Sequence, residues 1–238
     1  MDGLKVQRGG AGVSSLSESA IAYKPIGSVV KLNVGGQPRE FIVLRHGLPD
    51  LSTYDMSCNG TWLIMKDIYE SRAWHSSASV DYAGSDIHNY LNTTFLGLFD
   101  SSIQSKILDA KIPYDSQSAM TTSFKVKKGS DGLSAKIFLP SWVEVENGRT
   151  SSSLPPEEGV WFNYFGDSAS RLANLNGVAT IWWLRSPCRM ASTGSYGVGT
   201  VNAKGGTNNY YTSTSSYGIR PALIVPMNLK VSEDGFVG

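Results

Sequence analysis

The chain has 238 residues, 41% hydrophobic and 11% aromatic, which is enough to build one large domain or two small ones and too apolar for overall disorder. Its 21 basic and 20 acidic residues are spread along the sequence, for a net charge of +1, without the basic patch or stripe of a duplex nucleic-acid binder. No run approaches the roughly 20 apolar residues needed to span a membrane, and the N-terminal MDGLKVQRGGAGVSSLSESAIAYK lacks the apolar core of a secretory leader. The expectation is a soluble protein with neither nucleic-acid nor membrane partners, one that reaches any site outside a cell by another route.

Residues 1–24 are Gly- and Ser-rich with weak periodicity and read as a flexible arm ahead of a single domain over 25–238. In IGSVVKLNVGGQPREFIVLRHG, apolar positions alternate at Val30, Leu32 and Val34, turn at Gly35-Gly36, and resume at Phe41 and Val43, which predicts a β-hairpin. TWLIMKDIY, residues 61–69, predicts a further strand with Trp62, Ile64 and Met65 in the core. The spacing then becomes helical. Ser85 and Asp86 suit an N-terminal cap, and Ile87, Tyr90 and Leu91 share one face. Phe95-Leu96 and Leu98-Phe99 are apolar enough to be buried, and a second helix from Asp100 or Ser101 would carry Ile103, Ile107 and Leu108 inward. SAKIFLPSWVEV predicts a strand entering a turn at Pro140, and ENGRTSSSLPPEEGVW is loop by composition. SASRLANLNGVATIWWLRSP passes from a polar, short helical piece into a strongly β segment, and GIRPALIVP is β again, with Pro221 marking an irregularity or an edge. Strands, two helices, then strands and loops indicate an α+β fold rather than a βαβ array.

Local motifs for chemistry are missing. No Gly-rich phosphate loop follows a strand, and there is no G-x-S-x-G elbow or H-E-x-x-H helix. His46, His75 and His88 stand apart, and Cys58 and Cys188 make neither a disulfide framework nor a zinc pattern, although the fold could bring the two together. Glu157-Glu158 sits in a Pro-rich stretch where a solvated turn is the simpler reading, while carboxylates that converge only in the fold would leave no local trace. No metal, cofactor or catalytic residue is assigned.

The informative stretch lies between WWLRSP and GIRPALIVP. Of residues 191–218, 23 of 28 are Gly, Ser, Thr, Asn or Tyr. A polar low-complexity loop is one reading, but Tyr196, Tyr210, Tyr211 and Tyr217 are large amphipathic rings. Tyr supplies rigid contact area at low entropic cost, and Ser, Gly and Asn supply adaptable hydrogen bonds, as in binding loops. GVGTVNAKGG, between the two Tyr-bearing halves, predicts a strand running into a turn at Gly205-Gly206 that holds both on one scaffold. The same composition also has a genetic reading. Changing the adenines of AAY codons turns Asn into Tyr, Ser or Thr. Lys204 and Met190 cannot arise in that way, so they would be fixed scaffold positions.

The order IGSVVKLNVGGQPREFIVL, SDIHNYLN, KIFLPSWVEV, IWWLRSP and YGIRPALIV resembles a bacterial and phage domain family with a C-type-lectin-like fold, related in architecture to formylglycine-generating enzymes. Its members include the variable proteins of diversity-generating retroelements. The likeness covers roughly residues 25–226 and implies a ligand-binding face on the last strands, with variable residues at about 188–217. Trp182, Trp183, Leu184, Arg185, Ser186 and Pro187 match the family's invariant scaffold phrase, and Gly218 through Leu223, including Arg220 and Pro221, match its closing partner. The diversified, ligand-binding positions would be Arg189, Ser192, Ser195, Tyr196, Asn208, Asn209, Tyr210, Tyr211, Ser213, Ser215 and Tyr217, with Cys188 a further variable candidate.

Two departures narrow what carries over. Gln37-Pro38 is followed by Arg39 and no Trp-Asn-Asp occurs, so calcium-dependent sugar binding does not transfer. The neighbouring cysteine pair of the formylglycine-generating enzymes is missing, so their oxidation chemistry does not transfer either. The implied function is non-enzymatic recognition of a protein or glycan on a target cell, by a protein carried on a phage particle such as a tail tip, or held in the bacterial cytoplasm before assembly, with an oligomer allowed. Two rivals make distinct predictions. An enzyme would have a polar cleft with convergent titratable groups, and a structural virion or envelope domain would have its Tyr residues packed away.

Overall fold

The computed structural model describes residues 18–116, 124–148, 154–189, 196–210 and 216–238. The predicted hairpin forms from β1 (Val29–Val34) and β2 (Gln37–His46), with Val34 opposite Gln37. Gly35 and Gly36 have φ of +62° and +71°, the left-handed pair that a tight two-residue hairpin turn requires. β3 (Thr61–Met65) follows, then β4 (Glu70–Arg72), the helices α1 (Asp86–Tyr90) and α2 (Ser101–Gln104), β5 (Ile137–Phe138), α3 (Trp142–Val145) and α4 (Ser168–Arg171). The C-terminal part carries β6 (Trp182–Arg189), β7 (Tyr196–Val201), β8 (Thr207–Tyr210), β9 (Tyr217–Ile219) and β10 (Ala222–Val225). These strands make two five-stranded sheets, in the orders β5-β10-β3-β2-β1 and β8-β7-β6-β9-β4, with short two-stranded ribbons around them. Within these two sheets the neighbouring strands pair antiparallel, except β6 with β9. The fold is α+β, mostly antiparallel strand with few short helices.

The two sheets share two through-running chain segments. Residues 61–72 leave β3 in the first sheet and enter β4 in the second, so the predicted strand over 61–69 ends at Met65. Residues 217–225 run back alongside, from β9 into β10. Met65 donates its N–H to the Pro221 carbonyl at 2.8 Å, and Tyr69 donates to Ile219 at 3.0 Å, which keeps the segments paired across the switch. Pro221 therefore marks the bend between sheets. Having no N–H, it leaves no donor orphaned there.

β3 is central in its sheet and every residue of Thr61–Met65 is buried, consistent with its unbroken apolar run. Trp62 anchors the core beneath it, with Tyr54, Phe138 and Phe162 edge-on at ring-centroid distances of 5.4, 5.6 and 5.2 Å. The Ser85 hydroxyl accepts from His88 N–H at 3.1 Å, capping α1 as expected, and Ile87 and Leu91 point into the core. α1 passes into a wider π-type turn at Leu91–Phe95, and α2 is a single turn that buries Ile103.

Three local expectations are corrected. Trp142–Val145, read as strand and turn, is a helix, because Ser141 and Glu144 close a capping box: the Ser141 hydroxyl accepts from Glu144 N–H, and the Glu144 carboxylate accepts from Ser141 N–H. The flexible arm does not extend to residue 24: Ser19–Ala20 pairs with Lys230–Val231, and Ile21 is buried. Glu158, read as part of a solvated turn, is fully buried, while its neighbour Glu157 is exposed with φ of +60°.

Candidate recognition face and its buried support

The phrase Trp182–Pro187 lies inside the molecule. Trp182, Trp183, Leu184, Arg185 and Ser186 are each 0% exposed. Both indoles find acceptors, as buried indoles must: Trp182 donates to the Arg171 carbonyl at 3.0 Å and Trp183 to the Arg72 carbonyl at 2.9 Å. From the partner phrase, the buried Arg220 donates through Nε to the Met65 carbonyl at 2.9 Å, and its guanidinium lies 5.1 Å from the Trp182 ring. Burial pulls the Arg220 pKa down to about 10, so it still carries its charge at neutral pH.

Arg185 is the hub of a buried polar network. Its Nη1 and Nη2 form a two-pronged pair with the Glu144 carboxylate at 2.8 and 2.7 Å. Its remaining donors reach the carbonyls of Pro113, Leu139 and Glu158 at 3.0, 2.9 and 2.9 Å. Burial alone would lower the guanidinium pKa, but Glu144 outweighs it and raises the pKa above its ordinary value. The Tyr54 hydroxyl adds a 2.8 Å bond to Glu144 and accepts from Val160 N–H. Its pKa is pushed well up by burial, then by Glu144.

Glu158 belongs to the same network, but no cation among the described residues pairs with its carboxylate. It accepts from the Ser186 hydroxyl and, at 3.1 Å, from Asp115 N–H. Burial raises its pKa to about 7, against opposing pulls from Arg185 and Ser186. Ser186 in turn accepts from Trp142 N–H at 2.7 Å, which ties β6 to α3. Sequence reasoning missed Tyr54, Glu144 and Glu158. Only Glu144 had a local signal, the Ser-x-x-Glu capping box.

On this support stands the β6-β7-β8 meander. Arg189 is opposite Tyr196, Asn208 opposite Thr200, and Tyr210 opposite Val198. Directly opposed residues of antiparallel strands share a sheet face, and so do alternate residues of one strand. The backbone register therefore gathers Arg189, Tyr196, Asn208 and Tyr210 on one face. Asn209 falls on the other, opposite Gly199, where an added Cβ would come within 2.7 Å of the Trp142 ring. Asn208 is exposed. Tyr217 is half-buried, its ring edge-on to Trp183 at 4.8 Å. Ser192, Ser195, Tyr211, Ser213, Ser215 and Met190 lie outside the described residues.

Cys188 is 1% exposed and forms no disulfide with Cys58, so it is not on the outward surface. The predicted turn at Gly205-Gly206 forms, and Lys204 is exposed upon it. Arg171 donates to the Gly205 carbonyl at 2.7 Å, and Thr207 donates to Glu146 at 2.6 Å, pinning the closed end of the β7–β8 hairpin to the helices. From Thr207 at that end, β8 runs through Asn208 and Asn209 to Tyr210 at the other.

Among the described residues no group of three or more His, Cys, Asp or Glu could hold a metal ion, and no helix is long and apolar enough to cross a membrane. A family model described as a domain of unknown function (DUF6273) matches residues 59–227. The chain belongs to that family. No curated protein and no solved structure matches it. The DUF6273 match runs from just before β3 to just after β10, so it contains the whole second sheet and all of the buried network except Tyr54. The β1–β2 hairpin, which completes the first sheet, lies outside it.

Proposed function

We propose that this protein is a non-enzymatic recognition module with a C-type-lectin-like fold, whose ligand-binding residues at about 188–217 are diversified by a retroelement. The observation that carries the reading is the register that gathers Arg189, Tyr196, Asn208 and Tyr210 on one face of the meander, around the buried Val198 and Thr200 of that same face. A surface that tolerates change needs support that does not depend on it. The Arg185–Glu144 pair and the two satisfied indoles supply that support from residues outside the changing set. Tyr side chains would provide most of the contact energy, and Asn, Ser and Thr would adjust hydrogen bonds.

The natural placement is a phage particle, where a protein or glycan on the host surface is the target. Sequencing the 3′ end of the gene across isolates tests this reading. Differences confined to codons 188–217, beside a downstream near-copy with adenines at the variable positions, are expected. A uniform segment with no copy would overturn diversification. Purified phage particles that lack the protein would overturn the placement.

A further inference from the structure

A second candidate site lies on the first sheet, apart from the β6–β8 face. A cleft of about 300 Å³ is lined by Ile26, Leu44, Arg45, His46, Phe162 and Asn163. That volume is at the small end for ligand sites. Its floor is rigid: Leu44 is 3% and Phe162 1% exposed, and Phe162 packs edge-on against Trp62. The rim is open, with Ile26 46% exposed and Asn163 exposed as well.

The charge of the cleft resides on Arg45. Its Nη2 donates to the Leu48 and Pro49 carbonyls at 3.3 and 3.0 Å, which fixes the guanidinium in place. Its Nε is buried without an acceptor, and no carboxylate among the described residues pairs with the side chain. The neighbouring His46 is held in place, its Nε2 donating to the Lys24 carbonyl at 2.8 Å and its Nδ1 lying 2.9 Å from the Thr61 hydroxyl. A fixed guanidinium without an anion, beside apolar walls, has the chemistry of a carboxylate site.

We infer that this cleft binds a small organic carboxylate, its acid group paired with Arg45 and its apolar body against Ile26, Leu44 and Phe162. The test uses the full chain, labelled with ¹⁵N, and phenylacetate as probe, with phenylacetamide as its uncharged counterpart. Phenylacetate should move the amide resonances of Ile26, Leu44, Arg45, His46 and Asn163 saturably. Phenylacetamide should bind at least about tenfold more weakly, because it cannot form the charge-assisted bonds. Arg45→Met should abolish the preference for the acid over the amide. Should that variant fail to fold, the wild-type comparison of acid and amide decides alone. The inference is overturned if phenylacetate produces no saturable shifts at millimolar concentration, if the shifts map elsewhere, or if the amide binds as well as the acid.

Discussion

Glu158 makes the stability of the fold depend on pH in a direction opposite to that of an ordinary salt-bridged carboxylate. Its carboxyl is wholly buried, takes hydrogen bonds among the described residues from the Ser186 hydroxyl and Asp115 N–H, and holds its proton to about pH 7 against an ordinary 4.5. Between those values the folded chain binds a proton that the unfolded chain has released. Stability therefore falls as pH rises across that window, and is greatest below it. At about 1.4 kcal/mol per pH unit, the interval from 4.5 to 7 corresponds to a loss of ~3 kcal/mol.

E158Q removes the ionisation while keeping the size and one carbonyl acceptor for Asp115 N–H. Its amide NH₂ can donate to Ser186 Oγ, which must then send its own proton elsewhere. Urea unfolding of wild type and E158Q at intervals between about pH 5 and pH 8 measures the difference. The variant should be relatively stabilised as pH rises, by ~3 kcal/mol across the window. His88, whose pKa is lowered by burial, costs stability as pH falls, but it acts on both proteins and cancels in the difference. A difference that stays flat with pH would refute the account of Glu158 as a buried carboxyl that ionises only at a cost.

Other perturbations test the parts of the scaffold separately. Arg185→Met leaves the Glu144 carboxylate buried and uncompensated and should cost about 3–5 kcal/mol in denaturant unfolding. Glu144→Gln together with Arg185→Met should recover a good part of that, a coupling that a double-mutant cycle reads directly. Gly205→Ala places a Cβ 1.9 Å from the Ser168 carbonyl oxygen at a φ of +78°, so unfolding should become easier by at least about 1–3 kcal/mol. If the variant melts like wild type, the hairpin is not pinned as described. Ser141→Ala removes the hydroxyl that caps α3 and should lower stability by about 1 kcal/mol, visible as a shift in the urea midpoint with unchanged slope.

Local rules made several elements legible. Alternation and a Gly-Gly turn identify β1–β2, because the pleat exposes alternate residues and only glycine adopts the left-handed turn cheaply. The Ser85 cap and the Ile87, Tyr90, Leu91 spacing identify α1, since capping and one-sided burial act within a few residues. The Ser-x-x-Glu box at 141–144 was equally readable and outweighs the β propensity of WVEV once the box closes.

What the sequence could not express is the convergence of distant residues. Arg185 meets Glu144 and the carbonyls of Pro113 and Leu139 only because β6 runs beneath α3 and beside the chain that follows Ile112. Glu158 is buried because Asp115 and Ser186 close over it from elsewhere in the chain. Nothing in the string PPEEG distinguishes Glu157 in solvent from Glu158 in the core. Composition alone marked residues 191–218 as a candidate surface. Which of them share a face depends on strand register, a property of paired backbones from different parts of the chain that no single segment contains.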